Sequence, residues 1–313
     1  MNKHSSIKSS GSLVERAAEI YDFGAALRGN STPIVPAEEV LAPEAVPISP
    51  APAIYTPTMQ PRAHHSASTR VAEISRERLA ANHFIVPDGP VTGLSEEFRI
   101  VKRQLLLAAR GGKGFEAVPH GERILVCSAN PDEGKTYCAI NLALSMASEK
   151  DNRVLLVDAD FAKPSVLSTL GIESGPGFMD ALADDQVEAE SFIIETDIEG
   201  LSILPAGSRT NQDTEYLAAA RTAQIIDDLT RNDPSRIIIF DSPPALAASP
   251  ASVLALHVGQ VLMIVHADET TDSALRDALG LLSGCEHVQL LLNRAKFSPT
   301  GRKFGNYYGY GAS

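Results

Sequence analysis

Residues 124–136 read ILVCSANPDEGKT, and this stretch decides the fold. Its first four residues are apolar and are followed by polar residues, as expected for a fully buried strand. Gly134 and the polar residues before it predict a tight loop, and Lys135–Ser148 has the apolar spacing of a helix. A buried strand, a loop and a helix in this order predict one unit of an α/β sheet.

The same alternation of strand and helix continues through the rest of the region from about Leu94 to Ala295. Strands are predicted at Ile124–Cys127, Val154–Val157, Leu201–Leu204, Ile237–Phe240, Val261–Val265 and Val288–Leu292. Helices between them are predicted at Lys135–Ser148, Thr214–Leu229 and Asp272–Leu282. Continuous apolar strands separated by helices predict a mostly parallel sheet with helices on both faces. Ligands of such sheets bind at the carboxyl ends of the strands.

The loop after the first of these strands has the pattern of a Walker A motif, with Ala129 where the usual first glycine stands. Backbone N–H groups of the loop and of the helix start are expected to hold phosphates, with Lys135 reaching the β- and γ-phosphates of ATP. The Thr136 hydroxyl is expected to bind Mg²⁺. The predicted nucleotide-binding residues are Asn130, Pro131, Asp132, Glu133, Gly134, Lys135, Thr136 and Tyr137. The alternative is an ordinary helix start, because the short Gly-Lys-Thr sequence also occurs by chance.

Carboxylates follow two of the other predicted strands. Asp158 and Asp160 come after Val154–Val157, and Asp241 comes after Ile237–Phe240. Such carboxylates are placed to hold Mg²⁺ or its water shell beside a phosphate-binding loop. Aspartates also cap helices, but two such positions in a single sheet favour the metal.

Composition excludes several other classes of protein. The formal net charge of −12 argues against a nucleic-acid partner, because phosphate backbones select basic surfaces. The first twelve residues lack the apolar core of a signal peptide, and no apolar run is long enough to span a membrane. Cys127, Cys138 and Cys285 show no metal-binding or disulfide spacing, so buried reduced thiols of a cytoplasmic protein are predicted.

Residues 1–92 and 296–313 differ from the region between them, residues 93–295. A short helix is predicted from Ser12, and a second helical stretch near Thr69–Ala81. Between these two helices, closely spaced prolines predict an extended, largely disordered linker. The segment after Ala295 is rich in Gly and Tyr, and we expect it to be flexible.

Taken together, the motifs resemble those of the bacterial tyrosine kinases of exopolysaccharide synthesis. The shared features are the Walker A loop, the hydrophobic-Asp-x-Asp motif and the hydrophobic-Asp-x-Pro-Pro motif. The best resemblance is to the tyrosine autokinases linked to exosortase (PEP-CTERM) gene clusters. It extends to SLVERA at residues 12–17, EEFR at residues 96–99 and YYGY at residues 307–310.

The resemblance implies a P-loop NTPase fold of the MinD/ParA-like (SIMIBI) class and ATP-dependent tyrosine autophosphorylation. Catalytic roles are implied for Lys135, Asp158, Asp160 and Asp241, with Mg²⁺ held by Thr136, Asp160 and Asp241. Asp158 is the favoured base-like residue. Asn293 is implied to contact adenine, although it also fits an ordinary turn residue at the end of a strand.

Two departures from the family pattern concern positive charge. Ala162 stands where the family has an arginine after Asp-x-Asp, and Lys163 follows it as a point charge. The family's oligomerisation motif corresponds to Glu96, Glu97, Arg99 and Lys102, with Lys102 in place of an arginine. A ring-shaped homo-oligomer is therefore expected, and the alternative for these residues is a solvated helix with internal ion pairs.

The tyrosines near residue 313 are candidate substrates for phosphorylation. Tyr307, Tyr308 and Tyr310 lie in a stretch, residues 287–313, without Asp or Glu and with a formal charge of +4. Such a basic segment is attracted to a carboxylate-rich site. From Leu292 to Tyr307 the chain spans roughly 50 Å at full extension, which reaches the active site of a neighbouring subunit. The alternative is a poorly ordered, adhesive terminus.

The resemblance also implies partners: a membrane-embedded activator of the polysaccharide chain-length-determining type and a protein tyrosine phosphatase. Recruitment to the inner face of the plasma membrane follows from such an activator. A regulatory ATPase of the ParA/MinD type is the main rival, but it carries a signature lysine where this chain has Asn130. A small-molecule kinase or a scaffold without activity are further rivals that no motif favours.

Overall fold

The computed structural model describes residues 71–114 and 116–295 of the 313 residues. The strands are β1 (Val71–Ala72), β2 (Arg123–Ser128), β3 (Arg153–Asp158), β4 (Ile194–Thr196), β5 (Leu201–Leu204), β6 (Arg236–Asp241), β7 (Gln260–His266) and β8 (Val288–Asn293). The α-helices are α1 (Arg76–Ala81), α2 (Gly93–Arg110), α3 (Lys135–Ala147), α4 (Val166–Leu170), α5 (Phe178–Ala183), α6 (Asp213–Ala218), α7 (Ala220–Asn232), α8 (Pro250–Leu254) and α9 (Asp272–Leu281). A 3₁₀ helix spans Ala189–Phe192.

The eight strands form one sheet in the order β1-β4-β5-β3-β6-β2-β7-β8. Every neighbouring pair is parallel except β4 and β5. The centre of the sheet is β3-β6-β2, and all three strands are buried along almost their whole length. The predicted α/β fold with a mostly parallel sheet is confirmed, and each of the six predicted strands forms.

Alternate residues of the central strands face opposite sides of the sheet, as the two-residue period of a strand requires. Ile124 and Val126 pack into a core with α1, α2, α3 and α4, whereas Leu125 and Cys127 pack into a second core with α5 to α9. Helices therefore cover both faces, which is why the strands read as uninterrupted apolar runs. Cys127, Cys138 and Cys285 are free and buried, as predicted.

The sheet begins before residue 93, the start that we predicted for this domain. Strand β1 pairs with β4, and Ile74, Leu79 and Phe84 are part of the core beside α2 and α3. Part of the predicted Thr69–Ala81 helix is thus a strand, and α1 begins at Arg76, with the Ser75 hydroxyl accepting a hydrogen bond from the backbone of Arg78. Strands β1 and β4 are too short for a recognisable apolar pattern, so only their pairing identifies them.

The helix predicted at Thr214–Leu229 is two helices, α6 and α7, because Ala219 has an extended backbone. The Thr222 hydroxyl donates to the Tyr216 carbonyl at 3.0 Å, so the break leaves this carbonyl bonded. Beyond the break, Arg221 binds the carbonyls of Ala181, Asp184 and Val187 at the end of α5. A tertiary contact thus overrides the local preference of an alanine-rich sequence for helix.

The helix predicted from Ser12, the proline-rich linker and the segment 296–313 lie outside the described residues. Within the described part of the chain, no helix has both the length and the apolar character needed to cross a membrane.

A matched pair of leucines tests the burial of the sheet. Leu156 on β3 is completely buried, whereas Leu292 on β8 is 60% exposed. We expect Leu156→Ala to lower the free energy of unfolding by about 2–5 kcal/mol through the lost burial and the cavity left behind. Leu292→Ala is expected to change it by less than about 1 kcal/mol. Urea denaturation of both variants makes the comparison, and equal effects would contradict the described packing.

Candidate nucleotide and metal site

The loop between β2 and α3 has the backbone that its sequence predicts. Asp132 and Gly134 both have positive φ, and Gly134 immediately precedes Lys135, the first residue of α3. Gly134 has a φ of +94°, which other residues rarely adopt, and a side chain there would also displace the Asn293 amide, so the loop favours glycine at this position. The first turn of α3 has backbone N–H groups without partners in the helix. Such groups form a binding site for a phosphate.

The side chain of Glu133 holds this loop in place through hydrogen bonds. Its buried carboxylate accepts hydrogen bonds from the backbone N–H of Asn130 at 2.9 Å and from the Thr270 hydroxyl at 2.5 Å. The Asn293 amide donates to the Glu133 carbonyl at 2.9 Å. Three of the predicted nucleotide-binding residues are therefore joined by hydrogen bonds that fix the loop, and their contacts with a nucleotide stay predictions. Sequence reasoning missed Thr270, which is distant in the chain and belongs to no motif.

Tyr137 is the predicted nucleotide-binding residue whose side chain points to another part of the molecule. Its hydroxyl donates to the His83 carbonyl at 2.6 Å, and its ring lies 5.0 Å from the ring of Phe84. The side chain thereby joins α3 to the segment before α2. Pro131 and Asp132, by contrast, are exposed at the surface of the loop.

The predicted catalytic residues lie together at the carboxyl edge of the sheet. Asp158 ends β3 and Asp241 ends β6, and the two are directly opposite each other in the parallel pair. Two residues beyond β3, Asp160 forms an ion pair with Lys135, whose Nζ lies 3.1 Å from Oδ2 of the aspartate. The register of two strands and the start of one helix thus bring Lys135, Asp158, Asp160 and Asp241 into one site.

Asp241 is the unsatisfied group of this site. Its side chain is fully buried, and neither carboxylate oxygen has a hydrogen-bond partner in the described part of the protein. Burial raises the pKa of Asp241 to about 7, while the Lys135 ammonium and the neighbouring Thr136 hydroxyl, which is too far or too poorly aligned to form a regular hydrogen bond, act in the opposite direction. A buried carboxylate without partners is costly unless a cation or its water shell binds it. The donor set therefore fits a divalent cation.

Asp158 has a different environment from Asp241. Its carboxylate accepts hydrogen bonds from the backbone N–H groups of Ser165 at 2.9 Å, Val166 at 3.0 Å and Asp160 at 3.3 Å. Burial raises its pKa to about 6, and these backbone hydrogen bonds lower it. Both oxygens are occupied in holding the loop that leads to α4. These bonds let Asp158 position the loop, and the base-like role predicted for it stays a prediction.

The loop held by Asp158 approaches the candidate metal-binding hydroxyl. The Ser165 hydroxyl lies 3.4 Å from the hydroxyl of Thr136. Lys163 and Ala162 are exposed, and the backbone N–H of Lys163 donates to Asp160 at 3.1 Å. The lysine that follows the missing arginine therefore stands beside the site with its side chain in solvent.

Among residues 71–114 and 116–295, no group of three or more His, Cys, Asp or Glu side chains forms a metal site. That result is compatible with magnesium, which usually binds one or two carboxylates and keeps waters and phosphate oxygens as its other ligands. Thr136, Asp160 and Asp241 supply a hydroxyl and two carboxylates, which is the composition that such an ion requires.

Lys102 differs from the other predicted oligomerisation residues in being buried. Its ammonium donates to the Ser145 carbonyl at 2.7 Å and pairs with Glu149 at 3.0 Å. It ties α2 to the end of α3 within one chain. Glu97 and Arg99 are exposed, and Arg99 forms an ion pair with Glu96 one helical turn earlier. A contact with a second subunit through these three residues stays a prediction.

Residues 123–295 match the model of an AAA domain family, AAA_31, and this match covers more than half of the chain. The chain belongs to that AAA domain family. Membership in this P-loop family implies nucleotide binding, in agreement with the loop and helix start described above.

Curated relatives of this AAA domain protein bear out the resemblance to bacterial tyrosine kinases. Tyrosine-protein kinase wzc of Salmonella typhimurium is 28% identical over 190 residues, and tyrosine-protein kinase YwqD of Bacillus subtilis is 27% identical over 188 residues. The matches cover 60% and 59% of this chain. They cover 77% of YwqD but 26% of wzc, so the chain corresponds to about a quarter of that longer relative. CapB of Staphylococcus aureus is 24% identical over 76% of this chain and 99% of its own length.

Solved structures agree with the fold. The kinase domain of Escherichia coli tyrosine kinase ETK superposes with a TM-score of 0.59 and is 25% identical, covering 71% of this chain and 84% of that domain. The chimerical protein CapA2B2 has the same TM-score at 24% identity, covering 72% of this chain and 94% of its own, and shows the same fold. The resemblance to the kinase family is confirmed, and the exosortase-linked subgroup stays a prediction.

Removing the unsatisfied carboxylate is expected to stabilise the nucleotide-free protein at high pH. The pKa of Asp241 is raised from 3.8 in an unfolded chain to about 7 in the fold. The native state therefore loses stability as the pH rises between these values, and the full cost applies above pH 7. We expect Asp241→Asn to unfold at a higher temperature than the wild type at pH 8, and the difference to shrink toward pH 4.

Asp180→Asn is the matched control for this measurement. The Asp180 carboxylate accepts hydrogen bonds from the backbone N–H groups of Gly177 at 2.8 Å and Ser208 at 3.0 Å, so its loss is expected to lower the unfolding temperature. Calorimetry of the three proteins at pH 4 and pH 8 gives the comparison. An Asp241→Asn variant less stable than the wild type at pH 8 would contradict the described environment.

Proposed function

We propose that this AAA domain protein is an ATP-dependent tyrosine autokinase that phosphorylates Tyr307, Tyr308 and Tyr310 and thereby regulates exopolysaccharide synthesis or export. The observation that carries the proposal is the buried carboxylate of Asp241, unpaired and beside Lys135 of the phosphate-binding loop. A fold with a structural core alone has no reason to keep such a costly group. The names of the relatives then favour tyrosine as the acceptor.

In the proposed reaction, the backbone N–H groups of the loop and of the first turn of α3 hold the triphosphate. Lys135 exchanges its ion pair with Asp160 for the β- and γ-phosphate oxygens. Thr136, Asp160 and Asp241 hold Mg²⁺, which when bound neutralises the charge of the phosphate groups. Asp158 keeps the loop from residue 159 to residue 166 in place through its backbone hydrogen bonds.

A general base is not the main requirement of this chemistry. Phosphoryl transfer passes through a loose transition state, so the position of the acceptor and the neutralisation of charge dominate. A tyrosine hydroxyl has a pKa near 10 and is expected to lose its proton late. The occupied carboxylate of Asp158 is compatible with such a reaction, since positioning is the larger contribution.

The acceptor tyrosines lie outside the described residues, and charge supports their role. Residues 287–313 carry a formal charge of +4 without any acidic residue, whereas the site contains Asp158, Asp160 and Asp241. We propose that the basic tail docks at this site, is phosphorylated, loses its positive charge and leaves. The proposal includes two partners, a membrane-embedded activator of the polysaccharide chain-length-determining type and a phosphatase. It also includes assembly of the chain into a ring.

A regulatory ATPase of the ParA/MinD type is less well supported. Its signature lysine corresponds to Asn130, whose backbone N–H and side-chain amide both bind Glu133 within the loop. That function also gives no role to a cluster of terminal tyrosines.

Detection of phosphotyrosine tests the proposal directly. Incubation of the purified chain with Mg²⁺ and ATP is expected to produce phosphotyrosine, and both Lys135→Met and a truncation before Tyr307 are expected to lose at least about 90% of the signal. Mixing the truncated active chain with full-length Lys135→Met distinguishes attack between subunits from attack within one. ATP hydrolysis without any phosphotyrosine would favour the regulatory ATPase instead.

The docking step makes a separate prediction. Replacing Arg302 and Lys303 with Gln is expected to slow autophosphorylation at low ionic strength by several-fold, and added salt should reduce the difference because it screens the attraction. Arg231→Gln with Arg276→Gln is the control, since it removes the same charge from two exposed positions. Initial rates at two salt concentrations decide the question, and an unchanged rate at low salt would exclude this docking.

A further inference from the structure

A groove of about 560 Å³ on α2 shares no lining residue with the nucleotide site and has no role in the proposed reaction. We call it the arginine groove. The lining residues used below are Arg99, Lys102, Arg103, Leu106, Leu107 and Arg110. Four of these six side chains are cationic, and the helical spacing places them along one side of α2.

Most of these cations already have partners. Lys102 pairs with Glu149, Arg99 pairs with Glu96, and Arg110 binds the side chain of Asn152. Arg103 is exposed and has no ion pair or hydrogen bond within residues 71–114 and 116–295. A free guanidinium offers parallel N–H groups, which match two oxygens of a phosphate.

An apolar surface lies beside the free guanidinium. Leu106 and Leu107 come three and four residues after Arg103, so the three side chains are neighbours on the helix. Leu107 is 40% exposed and Leu106 is buried, so the accessible apolar surface is mainly that of Leu107. An aromatic ring that carries a phosphate has one apolar and one doubly charged end, and this surface offers a complement to each.

We propose that the arginine groove binds phosphotyrosine in the phosphorylated tail of this chain, residues 296–313. The inference rests on the proposed function, which supplies the modified tyrosines. Before modification the tail is basic and is repelled by the groove. Each phosphate adds about −1.5 to −2 charges, so modification reverses the sign of the interaction.

The described contacts place the beginning of β8, the last strand before the tail, close to α2. Gln260 of β7 donates to the Leu105 carbonyl on α2 at 3.0 Å, and Gln289 of β8 donates to Gln260 at 3.3 Å. The first residues of β8 are therefore near the middle of α2, and the tail leaves from the opposite end of this strand, roughly 20 Å farther along the extended chain. From Ala295 to Tyr307 the chain spans roughly 40 Å when extended, which allows a tail to reach the groove of its own chain.

The proposed groove site gives the tail a second binding place after it has been phosphorylated. The basic tail is attracted to the acidic nucleotide site, and the phosphorylated tail is attracted to the arginine groove. Arg99, a residue of the predicted contact between subunits, borders the same groove. A bound phosphorylated tail would therefore occupy part of the surface that a second copy needs.

A peptide binding experiment tests the proposal. A fluorescent peptide of residues 296–313, synthesised with phosphate on its three tyrosines, is titrated with full-length Lys135→Met, whose own tail stays unmodified. We expect saturable binding by anisotropy, about tenfold or more weakened by Arg103→Gln, as for loss of one charge-assisted contact. Arg103→Lys, which keeps the charge but loses the paired N–H groups, is expected to lie between the two.

Arg276→Gln is the matched control, because Arg276 is exposed on α9 and carries the same charge. It is expected to bind the phosphopeptide as tightly as the parent does. All variants are expected to unfold at the same temperature as the parent. Equal affinity of Arg103→Gln and Arg276→Gln for the phosphopeptide would overturn the proposal, and so would equal binding of the unphosphorylated peptide. If no phosphopeptide binds and Arg103→Gln changes the oligomeric state in sedimentation, the groove is a contact with a second copy of the chain. That outcome would also overturn the proposal.

The synthetic peptide keeps this test independent of the kinase activity. Phosphotyrosine production without phosphopeptide binding would refute the groove alone. Binding without phosphotyrosine production would refute the proposed function while leaving the groove as a phosphotyrosine site.

Discussion

The arrangement of the whole site depends on the pairing of β3 with β6. This pairing sets Asp158 directly opposite Asp241, so that two carboxylates stand side by side in the buried edge of a parallel sheet. Burial raises the pKa of both groups, and for Asp241 the nearby charge of Asp158 adds to the rise because like charges in a low dielectric repel each other. The energetic cost of burying these two carboxylates falls at the edge of the sheet that also carries the phosphate-binding loop and Lys135.

The two aspartates show how similar sequence positions acquire different roles. Three backbone N–H groups satisfy Asp158, whose carboxylate thereby fixes a loop. Asp241 receives no such donor and keeps its full capacity to bind a cation. A carboxylate with three hydrogen-bond donors and a carboxylate with none are thus adjacent, and keeping the second is the usual compromise between stability and activity at a functional site.

The phosphate-binding loop is held in the same way by groups that do not themselves need to touch a nucleotide. The buried side chain of Glu133 fixes the loop at Asn130 and connects it to Thr270, and Asn293 binds the loop from the last strand. These bonds keep the backbone N–H groups oriented before any ligand binds. Preorganisation of this kind reduces the entropy that binding must overcome.

The apolar strands, the loop with Gly134 and the aspartates that follow β3 and β6 are local patterns, and the sequence alone was sufficient to predict them and the α/β fold. Contacts between distant residues decided the rest: the break at Ala219, the burial of Lys102 against α3, the pairing of the two-residue strand β1, and the hydrogen bond from Thr270 to Glu133. Periodicity and motifs report what each segment prefers by itself, because they arise from neighbours along the chain. Which carboxylate has hydrogen-bond donors and which has none depends on loops that meet only after folding, so only the tertiary structure distinguished Asp158 from Asp241.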